Sequence, residues 1–353
     1  MSRIDAAAAA VTQTQETQQL RDALNRTLRA LDKACATKED LVEAVYRASL
    51  DAFRGVDIPA VPKPAPDHRK GREEVAVLVL SDWQLGKKTP TYSSGVCAKR
   101  IALLTSKVRQ IAALHSVSRP VRDIHCFAIG DFLEGELVFP GQAHRIDASL
   151  YRQLATGTEM YVNLLRALAG TFRTVTTWEA DGNHGAIGGS QRREMHPETN
   201  ADRILYHFAA ELTAAEPRIV HHMTDPVGEA NWYHVAAIGK YRSLLVHGQE
   251  FRGTAGMPWY SIQKHVGGWA LGAINDFVTG FGAGGDVDID CGHWHMPASI
   301  TLNHVTFRCN GSTESYNTYA QQQLASVGRP SQSLRFVDPV KGRVTACYTI
   351  WLD

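Results

Sequence analysis

Five short segments, each following an apolar run, end in residue types that bind metal ions: Val-Leu-Val-Leu-Ser-Asp82-Trp-Gln84, Ala-Ile-Gly-Asp131, Glu-Ala-Asp-Gly-Asn183-His184, Leu-Leu-Val-His247-Gly, and Asp-Cys-Gly-His293-Trp-His295. Asp, Asn and His supply oxygen and nitrogen donors suited to manganese, iron, zinc or nickel. No cysteines stand at the paired spacing of a structural zinc site. Taken as a series, the five describe a hydrolase that works with two metal ions. Two cations held ~3.5 to 4 Å apart need a shared anionic bridge and separate ligands for each, and an aspartate is a natural bridge.

Singly, each fragment has an ordinary structural explanation. Asp82 after a strand can cap a helix or close a turn. Gly130-Asp131 and Gly182-Asn183 are good turn dipeptides, and a lone His247 can be a satisfied interior histidine. An ordered series of five, all after apolar runs, is not explained by turns alone.

The elements that must position these residues alternate. Strand-like runs at 75–81, 124–129, 174–179, 243–247 and 287–291 are separated by helix-like stretches at 98–116, 147–170 and 199–214, which is an α/β pattern. In open α/β sheets the carboxyl ends of neighbouring strands face one crevice, so ligands far apart in sequence converge there. Beyond His295, β-rich pieces at 299–308, 334–337 and 346–351 lack comparable helices between them and suggest a second sheet of antiparallel character.

Residues 1–55 differ. Leu20, Leu24, Leu28 and Leu31 form one narrow helical stripe, and Leu41, Val45, Ala48 and Ala52 form a second after a helix-start signal at Thr37. Such stripes need a partner surface, either another copy in a homo-oligomer or docking partner, or the main domain itself. Residues 56–73 are a proline-rich linker with a basic cluster at Arg69, Lys70 and Arg72, which either touches phosphate or is simply solvated. The catalytic domain is expected over 74–353.

Composition narrows the partners. Thirty-seven basic and 36 acidic residues leave a formal charge of +1, so no general field recruits polyanions and any nucleic-acid contact is local. No apolar run approaches the ~18 residues of a membrane span. The N-terminus lacks the apolar core of a signal peptide, and six scattered cysteines read as free thiols in a reducing compartment, so the expected location is the cytoplasm.

The series Asp82-x-Gln84, Gly130-Asp131, Gly182-Asn183-His184, His247 and Gly292-His293-x-His295 resembles that of the calcineurin-like metallophosphoesterases, over about residues 75 to 300. Within that superfamily it is similar to the phage and bacterial branch that resembles DNA-repair exonucleases. The resemblance implies a sandwich of two mixed β-sheets flanked by helices, with the N-terminal helices as an appendage. It also implies that Asp82 and His295 hold a first metal, that Asp131 bridges, that Asn183, His247 and His293 hold a second, and that His184 is the acid and phosphoryl-binding residue. Manganese is the first choice of metal, with iron, zinc or nickel as alternatives.

Three positions depart from the family pattern. Gln84 stands where the first motif usually has His, and an amide oxygen is a weaker ligand than imidazole, so this metal is held more loosely or Gln84 holds only a water. Gly185 replaces an acidic residue, so the support of its loop must differ. Glu134 stands three residues past the bridging aspartate, where the repair exonucleases usually carry His. Asp181, Asp290 and Glu250 are candidate partners for the second ring nitrogen of the ligand histidines.

The expected reaction is hydrolysis of a phosphodiester, in nucleic acid (DNA or RNA) or a nucleotide. Alternatives are a phosphomonoesterase or a catalytically weakened binding module. Candidate substrate contacts are Arg145, Arg192 and Trp259. Each has a plainer reading, as a surface turn, a solvated loop and packing respectively.

Overall fold

The computed structural model describes residues 60–187, 196–225, 228, 231–253, 256–274, 284–315 and 328–353, all within one compact unit, Asp57–Asp353. The fold is α/β: two mixed sheets face each other with helices on both outer sides. Strands β1 (Glu74–Leu80), β2 (Val121–Ile129), β3 (Thr174–Ala180) and β4 (Ile219–Met223) are parallel, and β10 (Ser331–Asp338) and β11 (Arg343–Trp351) extend them in the order β11-β10-β1-β2-β3-β4. The second sheet runs β5 (Tyr233–Ile238), β6 (Tyr241–Val246), β7 (Val287–Cys291), β9 (Val305–Cys309), β8 (Ala298–Leu302).

Strand β1 shows why its sequence is a nearly unbroken apolar run. Every residue of Glu74–Leu80 is buried. Successive side chains point to opposite faces. Ala76, Leu78 and Leu80 therefore pack under helices α1 (Ser94–His115), α2 (Leu150–Ala169) and α3 (Ala201–Thr213), while Val75, Val77 and Val79 pack against Tyr241, Leu245 and Val337 between the sheets. A third apolar cluster joins the outer face of the second sheet to helix α4 (Trp259–Gly268) through Leu244, Val246, Ile262, Val266 and Trp269. The helix starts are set by side chains: Ser93 accepts from Val96 N, Ser149 from Arg152 N and Asn200 from Asp202 N. Among the described residues no helix is long and apolar enough to cross a membrane.

The C-terminal strands depart from expectation. They do not form one antiparallel sheet: β8 and β9 join the second sheet, where β9 pairs parallel with β7, while the β10–β11 hairpin closes the edge of the first sheet with β10 antiparallel to β1. Alternation along a hairpin fixes which face is buried but not which sheet it extends. Strands β4 and β5 were not expected from the sequence at all. Both are edge strands, and His221, His222 and His234 interrupt the apolar runs that mark a buried strand.

The expected N-terminal helices lie outside the described residues. The end of the linker, residues 60–73, has no regular structure but is tied down: Arg218 and Arg122 donate to the carbonyls of Val61 and Asp67, each at 3.1 Å, and Val61 packs against the helix-side core. Two of its basic residues are engaged, Arg69 with Asp67 and Arg72 with Asp338. Cys97, Cys126, Cys291 and Cys309 are buried free thiols, and Cys347 is an exposed one.

His125, on β2, accepts a hydrogen bond at its Nδ1 from Trp178 Nε1 at 2.9 Å, and Trp178 stacks on His222. An imidazolium would place a proton against that indole N–H. Burial, with a smaller contribution from His222, pushes His125 down to about 4. The folded chain then holds fewer protons than the unfolded chain between about pH 4 and the ordinary histidine pKa. Stability is unaffected above that window and falls as pH drops through it, by about 2 kcal/mol for this partly solvated group. Urea unfolding should show this loss, and His125→Gln, which keeps an acceptor for Trp178, should remove it.

Candidate metal centre

All five motif loops leave the carboxyl ends of β1, β2, β3, β6 and β7 and meet at one place. The tightest focus is His247 Nε2, which lies 3.0 Å from Asp131 Oδ2, 3.1 Å from Asn183 Oδ1 and 3.3 Å from His293 Nδ1. Asp131, His247 and His293 offer ligand atoms that all lie within 4.8 Å of one another. His247 Nδ1 donates to the Ile129 carbonyl at 2.8 Å, which turns its Nε2 toward this focus. A second group adjoins it. His295 Nε2 lies 3.2 Å from Asp82 Oδ1, and Gln84 Nε2 donates to Asp131 Oδ2 at 3.3 Å. Asp131 Oδ2 thus faces both groups, as a bridging carboxylate must.

These residues fit a pair of cations. The donors are mixed oxygen and nitrogen, they converge from five loops, and Gln84 Oε1 is buried with no hydrogen-bond partner. Asp82, Gln84, Asp131, Asn183, His247, His293 and His295 would hold them, in the two groups just described. The electrostatics agree. Burial favours a neutral Asp131, yet His247 and then His184 override it and hold the carboxyl well below the usual carboxylate range. Burial likewise works against charge on His247, but Asp131 outweighs it and raises the ring to about 10. His293 is pushed down to about 4 by burial and by the charge on His247. The cluster thus keeps a positive charge next to Asp131 when a proton alone supplies it.

The backbone is strained where the candidate ligands sit. Asp82, Gln84, Asp131, His293 and His295 have φ of 52°, 49°, 55°, 66° and 56°, and among the described residues only Asn303 joins them as a non-glycine with positive φ. The left-handed region costs a non-glycine residue about 1 to 2 kcal/mol, and such strain gathers at functional sites. The loops also touch backbone to backbone, since a Cβ on Gly130 would overlap Gly182.

Helix α3 supplies the loop support that Gly185 cannot. Asp202, in its first turn, accepts from Asp131 N at 2.8 Å, Phe132 N at 3.1 Å and Gly182 N at 3.2 Å, and Asn200 Nδ2 donates to the Gly182 carbonyl at 2.9 Å. A side chain at Gly185 would collide with Asn200 and press on Asp202. Beside Gly185, the loop is thus held by Asp202 and Asn200 from the next helix. Asp202 was not singled out from sequence; the Asn200-Ala-Asp202 helix start was its only signal.

The three carboxylates expected beside the ligand histidines are engaged elsewhere. Asp181 binds Arg203 at 2.7 Å, Asp290 binds Arg335 at 2.5 Å, and Glu250 accepts from Gly248 N at 3.1 Å. Their place is taken by the Ile129 carbonyl behind His247 and by Glu314 behind His295, with Nδ1 to Oε2 at 3.3 Å.

His184 stands apart from the donor cluster. Its backbone N donates to Asp131 Oδ1 at 2.7 Å. Its ring Nδ1 donates to the Glu134 carbonyl at 2.8 Å and lies 3.5 Å from the Glu134 carboxylate, which is fully buried. Of the expected substrate contacts, Arg145 is exposed, and its carbonyl accepts from Lys88 N at 2.9 Å, beside the first motif loop. Trp259 opens helix α4 and is 42 % exposed. Arg192 lies outside the described residues.

No family model matches the sequence, and no curated protein is similar to it. Solved structures give likenesses of low identity and low TM-score. Zinc-complexed wild-type Vps29 from Entamoeba histolytica is 13 % identical, covering 79 % of this chain and 99 % of that one at a TM-score of 0.31. A phosphodiesterase described as novel and archaeal is 10 % identical, covering 78 % and 99 % at 0.34. The phosphoesterase Yfce from E. coli is 11 % identical, covering 78 % and 99 % at 0.32. These values carry no functional argument, which rests on the residues above.

Proposed function

We propose that the chain is a two-metal-dependent phosphoesterase of the calcineurin-like type that hydrolyses phosphodiester bonds, with nucleic acid or a nucleotide as substrate and manganese as the preferred metal. The observation that carries this reading is the focus at His247 Nε2, where Asp131, Asn183 and His293 place donor atoms within 3.3 Å. A cation pair there supplies charge compensation for the phosphoryl oxygens and acidifies water near neutral pH. The chain's own residues do the rest. His184, with Nδ1 committed to Glu134, has Nε2 left to hold the proton that a leaving oxygen needs. Asp131 orders this residue as well, through the His184 backbone N.

The preference for a diester in nucleic acid or a nucleotide rests on Trp259 and Tyr260, exposed by 42 % and 82 % on the helix that follows His247, as flat surfaces on which a base can stack. Arg145 and Arg192 remain candidate phosphate contacts. Assembly through residues 1–55 is part of the proposal, and removing them should lower the oligomeric state in sedimentation. The substrate is tested by a panel in added manganese: aryl phosphodiester, aryl phosphomonoester, single- and double-stranded DNA, RNA, cyclic nucleotides and phosphopeptides. Faster turnover of the aryl monoester and phosphopeptides than of any diester would replace this reading with a phosphatase.

Gln84 gives a further test. If its unpartnered Oε1 contributes to the Asp82–His295 group, Gln84→His should tighten that cation by about tenfold, because imidazole is the better ligand for a transition ion. Unchanged affinity in calorimetry would place the amide outside the coordination.

A further inference from the structure

Two charged residues that no motif marked sit behind His295. After β9 the chain runs without regular structure beneath the first motif loop, where Ser312 Oγ and Thr313 N donate to the Asp82 carbonyl at 2.7 and 3.2 Å, and Ser312 Oγ accepts from Glu314 N at 2.9 Å. This fixes Glu314, which is only 3 % exposed. Its Oε2 receives Lys87 Nζ at 3.0 Å and faces His295 Nδ1 at 3.3 Å, while His295 Nε2 faces Asp82 Oδ1 at 3.2 Å. Lys87 belongs to the same loop as Gln84, since Lys87 N donates to the Gln84 carbonyl at 3.0 Å. Each end of the His295 ring is therefore claimed by a carboxylate, one of which is anchored by the partly buried Lys87.

We propose that Glu314, held by Lys87, is a positioning residue that fixes the orientation and tautomer of His295, and so sets the affinity of the Asp82–His295 group for its cation. With Nδ1–H directed to Glu314, the Nε2 lone pair is left for the Asp82 side, and the anion behind the ring makes that nitrogen a stronger donor. This compensates for the neutral Gln84, which leaves the group with Asp82, the shared Asp131 and a single histidine as strong donors. The Ile129 carbonyl serves the other group in the same way without a net charge, so the two groups depend on different supports. The inference rests on the two-cation reading.

The test is manganese binding to the full-length chain, followed by electron paramagnetic resonance and calorimetry, for the wild type, Glu314→Gln, Lys87→Gln and, as a reference, His295→Ala. Two classes of manganese site are expected in the wild type, one of which disappears in His295→Ala. Glu314→Gln should weaken that same class by roughly 10- to 100-fold and leave the other unchanged, with Lys87→Gln weakening it less. The inference is overturned if the class absent in His295→Ala keeps its wild-type affinity in Glu314→Gln, or if the surviving class is the one weakened. Should Glu314→Gln fail to fold by circular dichroism, Lys87→Gln decides by the same criterion. A wild type that binds no manganese would instead remove the underlying two-cation reading.

Discussion

Replacing Asp131 with asparagine is expected to abolish turnover, by roughly 10³-fold or more, and to weaken both cations together. Asp131 Oδ2 is 3.0 Å from His247 Nε2 and 3.3 Å from Gln84 Nε2, so one oxygen faces both donor groups, and Oδ1 holds the His184 backbone at 2.7 Å. An amide keeps the shape but loses the charge. The neighbouring His247, raised to about 10 beside the carboxylate, should then fall, because burial alone lowers it. The measurement is manganese stoichiometry by calorimetry alongside turnover of an aryl phosphodiester. Retained activity, or loss of one cation only, would show that Asp131 does not bridge.

His184→Ala should give a different pattern. Turnover should fall by about 10²- to 10⁴-fold, the usual range for a general acid, while the manganese content stays near that of the wild type. The geometry separates the roles: His184 Nδ1 is directed to Glu134, whereas His247 Nε2 and His293 Nδ1 face each other at 3.3 Å. The loss should be smaller for a substrate with a very acidic leaving group, which needs no protonation. A variant that loses metal along with activity would make His184 a ligand.

Much of the centre was legible because its chemistry is written at strand ends. Asp82, Asp131, Asn183, His247, His293 and His295 each follow an apolar run whose burial demands a strand, and the carboxyl ends of the strands bring them together. What supports them was not legible. Asp202 lies in a helix turn and Glu314 in an irregular segment, and neither position carries a pattern that predicts which loop it will meet. Asp181 and Asp290 were plausible carboxylates by proximity in sequence, but Arg203 and Arg335 claimed them. Positive φ at five candidate ligand positions is likewise hidden, since Asp, Gln and His do not announce it as glycine does. The same limit explains the sheets: periodicity identified β10 and β11, while their pairing with β1 depends on contacts across the whole chain.

Chelating side chains from five loops should gather around two neighbouring cations. Anomalous scattering from crystals soaked in manganese tests it most directly. Two peaks are predicted on either side of Asp131, one beside Asn183, His247 and His293 and the other beside Asp82 and His295. A difference map with no peak at these side chains, or with manganese bound only elsewhere on the molecule, would contradict it.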